Sequence, residues 1–335
     1  MAAFLLRRLG YLIFVVWGVG FAAFFISHVV PADPAAAALG SNARPAQIEA
    51  YRHKYGLDLP AYQQYLRYMV DLFRGDLGNS LRTQRPILSD LRDFFPATLE
   101  LTLGAMVFAV LFGLPAGVIA ALYQDRPLDL GVRTLALVGG ATPVYWLAIL
   151  ALELFHSRLG WLPGPGELNA YLIEPHRVTG MLVVDAAIAG DWPAFVSAVR
   201  HLILPAAVLG AFSTALLARM VRSAMLEVLS QDYVRTARAK GLASRVVTFK
   251  HALRNAALPV LTVMGSLLGS LLTGAVLTET IFSWPGLGSY ATSSAIGLDF
   301  PAVMGVTLVA GLAYSVINLL VDVFYAVFDP RITYA

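Results

Sequence analysis

Six apolar stretches run through the chain, at about 9–30, 97–123, 134–155, 201–221, 258–281 and 302–327. About 20 helical residues cover the roughly 30 Å of hydrocarbon in a bilayer, and each stretch is near or above that length. Backbone N–H and C=O groups in lipid find no water, so each stretch has to satisfy them internally as a helix. The reading is an all-α membrane protein with six transmembrane helices. Composition agrees. The chain is 58% hydrophobic and 13% charged, whereas soluble domains average about 45–50% and about 25%.

The first stretch follows Arg7 and Arg8 and is too long for the roughly 7–15-residue apolar core of a signal peptide, so we expect an uncleaved span. Three regions follow: a first transmembrane helix over 1–30, an external subdomain over 31–96, and a core over 97–335. That core holds five transmembrane helices and a cytoplasmic loop at 219–258. Basic residues set the orientation, because they mark cytoplasmic loops. The 219–258 loop carries Arg219, Arg222, Arg235, Arg238, Lys240, Arg245, Lys250 and Arg254 against only Glu227 and Asp232. Arg7, Arg8, Arg126, Arg133 and Arg331 fall on the same side. Both termini are therefore expected in the cytoplasm. In the external stretch, 46–55 and 62–73 have helical composition, the second with apolar residues at helical spacing, and Gly75 and Gly78 end the pattern.

Several chemistries are excluded. A phosphate-binding loop needs a Gly-Lys-Ser/Thr step, but His53, Ala239 and Phe249 precede the only lysines, Lys54, Lys240 and Lys250. There is no cysteine, and the six histidines lack metal-ligand spacing, so no metal is expected. A net charge of +3 gives no ground for a nucleic-acid partner. Ionisable residues inside spans are costly and usually functional. Here Glu100, Glu153, Glu279 and Asp322 all sit toward span ends. The interior offers neutral hydroxyls instead. Ser213, Ser266, Ser270 and Thr273, with Glu279, are the candidate lining of a path whose weak sites let a zwitterion pass. Gly265 and Gly269 form a G-x-x-x-G step suited to close helix packing.

The cytoplasmic loop carries the strongest signal. Its sequence around Asp232, Tyr233, Arg235, Thr236, Ala237, Arg238, Ala239, Lys240 and Gly241 reads as a short helix broken at the glycine. Small Ala237 and Ala239 would leave a flat face for another protein. The positive-inside rule explains the sign of the charge but not the length of the loop.

These residues resemble a known family, the integral membrane subunits of ATP-binding-cassette importers, in the branch for dipeptides, oligopeptides and nickel. The resemblance rests on RTARAKG at Arg235–Gly241 with Leu258-Pro259 beyond it, and on GDLGNS (75–80), PATLELT (96–102), HALRNAALPV (251–260), TETIFSWPGLG (278–288) and DPR (329–331). Arg235 and Thr236 depart from the general Glu-Ala-Ala pattern, yet they match the form used by the peptide branch. The chain looks most like the first permease subunit of the dipeptide systems. The resemblance implies a type I importer permease (MetI-like) fold and several partners: a second homologous permease subunit, two ATPase subunits that bind ATP and magnesium, and an extracytoplasmic solute-binding protein. It also implies a place in a bacterial cytoplasmic membrane and a coupling role for Asp232–Gly241, with no catalytic residue and no cofactor in the chain itself. Nickel, haem or another small solute stays open as cargo. A self-contained channel or secondary carrier is the rival from another class. A membrane enzyme lacks any His-Glu-x-x-His or paired-carboxylate motif.

Overall fold

The computed structural model describes residues 43–328 together with Gly10, Phe14, 16–22, Phe24, Phe25, Ala35 and Leu39. The regular structure of these residues is helical, apart from one isolated bridge between Asn79 and Pro86. In chain order the helices are α1 Pro45–Tyr55, α2 Ala61–Phe73, α3 Ile87–Leu122, α4 Pro127–Ala141, α5 Val144–Arg158, α6 Leu182–Ala189, α7 Trp192–Leu229, α8 Asp232–Ala239, α9 Ser244–Gly274, α10 Val276–Ile281, α11 Leu287–Ile296 and α12 Phe300–Phe328. The described residues form two compact units, one from Met1–Thr98 with Pro285–Val316 and one from Leu99–Trp284 with Ile317–Ala335.

Among the described residues four helices are long and apolar enough to span: α3, α7, α9 and α12. The stretch predicted at 134–155 is a bent pair, α4 and α5, meeting at 103°. The cause is local. Pro143 disfavours a helical conformation at the residue before it, and Thr142 is extended at φ −76, ψ 126. Half of the first predicted span lies outside the described residues, and Gly10, Phe14, 16–22, Phe24 and Phe25 within it are helical.

Three boundaries move. Hydropathy placed a span start at 97, but α3 begins at Ile87 and runs through Pro96. Asp90, Arg92 and Asp93 hide the apolar face of its first turns from a hydropathy window. That face, Ile87, Leu91, Phe94 and Phe95, packs with Leu287, Tyr290, Ala302 and Val306. The α7 helix likewise starts at Trp192, where the Asp191 side chain accepts from the Ala194 N–H at 3.0 Å. The fifth stretch divides into α9 and α10 at Ala275, and α9 reaches back into the cytoplasmic loop.

In the first unit, a polar network accounts for the GDLGNS motif. Asp299 is fully buried and accepts from the Ser80 hydroxyl at 2.5 Å and from the N–H groups of Arg82 and Ala302. Asp90, also fully buried, accepts from Thr83 Oγ1 at 2.6 Å and Tyr290 OH at 3.0 Å and pairs with Arg85 at 3.2 Å. Buried carboxylates of this kind persist only when hydrogen-bonded. PATLELT and PGLG meet in the same unit, where the Leu287 N–H donates to Thr98 Oγ1 at 2.7 Å.

The second unit is built on close approach of α3 to α7. A Cβ on Gly117 would lie 2.6 Å from the Ala218 carbonyl oxygen, one on Gly113 2.8 Å from that of Thr214, and one on Gly210 2.6 Å from that of Ala105. No side chain fits at those distances, so these glycines set the helix separation. In the first half of α3, Glu100 receives the Leu182 and Val183 N–H groups at 3.1 and 2.7 Å. Its carboxylate satisfies the open donors at the start of α6. That explains an acidic residue in an apolar helix without any proton relay.

Candidate coupling element and hydroxyl face

The α8 helix starts after Gln231, which is extended, and Asp232 in its first turn complements the positive end of the helix dipole. It ends at Gly241, φ +74. The Gly241 N–H donates to Arg238 O at 2.9 Å and the Leu242 N–H to Ala237 O at 3.3 Å, which is a Schellman closure. The sequence-level expectation of a helix stopped by a left-handed glycine is met in full geometry.

The two faces of α8 differ. Val234 and Ala237 are buried and pack with Val247 on α9 and with Val228 and Leu229 on α7. Asp232, Tyr233, Arg235, Thr236, Arg238, Ala239 and Lys240 are exposed. This corrects the expectation for Ala237. Its methyl faces inward against Val247, so its small size serves packing within the chain, and Ala239 alone of the two alanines lies on the open side. The reason is helical spacing: Val234 and Ala237, three apart, share the face that Val228, Leu229 and Val247 cover.

Apolar residues are exposed in this basic segment as well. Tyr233, Leu242, Val246 and Phe249 are 43%, 41%, 38% and 59% exposed, and Arg235, Arg238, Lys240, Arg245 and Lys250 are exposed too. Exposed apolar side chains among charged ones are the material of protein interfaces. In the sequence they read only as isolated apolar residues in a charged loop. Val247–Leu253 within α9 is a π turn, and such turns concentrate at functional segments.

A buried ion pair ties the start of α4 to the C-terminal part of α7. Arg222 makes two hydrogen bonds to Asp129, at 2.7 and 2.6 Å, and the Asp125 N–H adds a third contact at 3.0 Å. Asp129 is fully buried and the Arg222 side chain 20% exposed. Sequence reasoning counted Arg222 only as a topological charge and passed over Asp129, since nothing in the sequence relates positions 93 residues apart.

Of the path candidates, Ser266, Ser270 and Thr273 share one exposed face of α9, and Thr262 joins them. Each hydroxyl donates to a carbonyl of the preceding turn: Thr262 to Leu258, Ser266 to Thr262, Ser270 to Ser266 and Thr273 to Gly269. The result is a polar, uncharged strip whose donors are already satisfied, leaving acceptor lone pairs outward. Gly265 and Gly269, next to this strip on the helix wheel, are buried. Ser213 and Glu279 do not belong to this strip. Ser213 is 2% exposed within the packed face of α7, and Glu279 on α10 is fully buried. Both are interior packing positions, so the structure removes them from the lining. Among the described residues no group of His, Cys, Asp and Glu is arranged to hold a metal ion. The DPR segment lies outside the described residues.

Long spanning helices, a basic element held on two of them and a neutral hydroxyl strip are the features of a multi-pass transport permease. The chain belongs to the binding-protein-dependent transport system inner membrane component family, whose model matches residues 113–334, and a companion model for the N-terminal part matches 1–102. It is 49% identical to the probable D,D-dipeptide transport system permease protein DdpB of Escherichia coli, over 96% of this chain and 94% of that one. It is 48% identical to the di/tripeptide transport system permease protein DppB of Pseudomonas aeruginosa, over 99% of each. The glutathione transport system permease protein GsiC of Escherichia coli is 38% identical over the whole of both. Among solved structures, an amino acid ABC transporter matches with a TM-score of 0.50 at 14% identity, over 71% of this chain and 93% of that one, which places the fold with the MetI-like permeases. The chain is thus a non-catalytic permease subunit of an ATP-binding-cassette importer.

Proposed function

We propose that this subunit carries dipeptides and short oligopeptides across a bacterial cytoplasmic membrane as half of a path completed by a second, homologous permease subunit. Two ATPase subunits bind ATP and magnesium on the inside, and a solute-binding protein delivers peptide from the outside. The observation that carries the reading is α8, a basic element closed at Gly241, seated on α7 and α9, with exposed Tyr233 and, just beyond it, exposed Leu242, Val246 and Phe249. It is the surface on which an ATPase subunit docks. The peptide assignment is supported by the cargo in the names of the relatives and by the uncharged strip of Thr262, Ser266, Ser270 and Thr273, which passes a zwitterion without trapping it. Alternating access needs no bond chemistry from this chain, only a shift between two packed arrangements.

The test is a reconstituted complex with its partner subunits and binding protein in vesicles. Dipeptide should stimulate ATP hydrolysis and enter the lumen. Stimulation by nickel chelates or haem with none by peptide would overturn the cargo assignment. Uptake without any ATPase subunit would overturn the coupled mechanism.

A further inference from the structure

The external helix α2 carries more apolar surface than its own chain covers. At about 100° per residue, its residues sort into three sectors. Tyr65, Tyr68, Met69 and Leu72 face the protein. Met69 and Leu72 are buried with Leu308, and Val16, Leu77 and Leu312 join the cluster. Tyr65 stands edge-on to Phe21 and Phe24, with ring centroids 5.7 and 5.2 Å apart. Gln63, Arg67 and Asp71 form a polar sector. Between these lie Tyr62, Leu66, Val70 and Phe73, 64%, 58%, 49% and 65% exposed.

Depth decides what covers that third sector. The partners of the buried face lie well inside two apolar helices. Leu308 is eight residues beyond Phe300 at the outer start of α12, about 12 Å along the helix axis. Phe21 and Phe24 lie nine and six residues inside the end of the apolar 9–30 stretch. A helix seated against these residues lies within the outer half of the roughly 30 Å hydrocarbon layer. The first helix also carries a column of exposed aromatic residues. Phe14, Trp17, Phe21 and Phe25 are 66%, 47%, 48% and 57% exposed and succeed one another at 5.9, 6.1 and 6.3 Å. Tyr65 joins α2 to that column through Phe21.

We propose that α2 is an interfacial helix lying in the outer leaflet, with Tyr62, Leu66, Val70 and Phe73 against lipid acyl chains and Gln63, Arg67 and Asp71 turned to the headgroups and water. An apolar sector next to a polar one, at this depth, is the pattern of monotopic membrane helices. Within the external subdomain expected over 31–96, α2 then anchors the first unit laterally in the bilayer.

The chain has no cysteine, so single nitroxide labels can be placed at will. Leu66→Cys, Val70→Cys and Phe73→Cys are compared with Gln63→Cys and Arg67→Cys in the assembled transporter, built with cysteine-free partners. The vesicles are phosphatidylethanolamine and phosphatidylglycerol. Labels at 66, 70 and 73 should be relaxed by dissolved oxygen, with loss of relaxation by a water-soluble nickel chelate. Labels at 63 and 67 should show the reverse. Equal access of the chelate to all five overturns the proposal in favour of a water-exposed cap. Shielding of 66, 70 and 73 from both reagents overturns it in favour of a protein partner on that face.

Discussion

Gly241 shows how far a single backbone angle constrains this protein. At φ +74 a side chain costs about 1–2 kcal/mol, and no neighbour lies within 4 Å of the missing Cβ. The penalty is therefore conformational alone. Gly241→Val should leave insertion and expression near normal and abolish peptide-stimulated ATP hydrolysis; unchanged stimulation would remove the coupling role. The Asp129–Arg222 pair makes a separate prediction. Removing one member of a buried pair strands the other, at about 3–5 kcal/mol. Arg222 keeps some solvent contact, so Asp129→Ala should cost about 3 kcal/mol, read as a lowered thermal midpoint. Glu167, in the loop between α5 and α6, makes a prediction about pH. Burial, reinforced by Glu100, Glu174 and Glu279 against the opposing Arg177, pushes its carboxyl up to about 8. The folded state then holds this proton where the unfolded chain has lost it. Stability should fall as pH rises from about 4.5 through about 8. Glu167→Gln should raise the thermal midpoint at pH 8.5 and leave it unchanged near pH 4. An equal effect at both values would refute the assignment.

At the scale of elements, the sequence was a good guide wherever period and punctuation coincide. The 46–55 and 62–73 helices appear as Pro45–Tyr55 and Ala61–Phe73, ended by Gly56 at φ +65 and by Gly75 and Gly78 at +79 and +75. Hydropathy failed where charge and burial are mixed on one helix. The first turns of α3 read as polar because Asp90 is charged, although it is satisfied inside the fold. It failed too at Thr142–Pro143, where a window average passes over a 103° bend. The glycine step noticed in the sequence was Gly265 and Gly269, whereas Gly113, Gly117 and Gly210 set the α3–α7 separation; no one-dimensional pattern says which glycine meets a backbone. Gly117→Val would push a methyl into the Ala218 carbonyl and the Val221 side chain, both 2.6 Å from its Cβ. It should cost at least the roughly 1–3 kcal/mol of core overpacking, measured by thermal unfolding in detergent.

For the whole molecule, the placement of charge still makes the topology testable. Reporter fusions after Arg85 and after Ser244 should lie on opposite sides of the membrane; the same side for both would reverse the reading of every loop. The candidate site was legible as a segment and not as a surface. RTARAKG located α8, but the exposure of Tyr233, Leu242, Val246 and Phe249 depends on how α8 and the start of α9 are packed. The Asp129–Arg222 contact depends on tertiary structure alone.

The α8 helix has only eight residues, well short of the ~12–15 at which a helix begins to hold in water by itself. Its hold on the rest of the chain is the contact of Val234 and Ala237 with Val228, Leu229 and Val247. Such an element bears load better in one direction. Pressed inward, it is backed by two long helices and passes the thrust to both. Drawn outward, it gives up that packing and pulls on α7 and α9 only through the short links at 230–231 and 240–243. A motor acting through it would therefore drive its stroke most directly by compression.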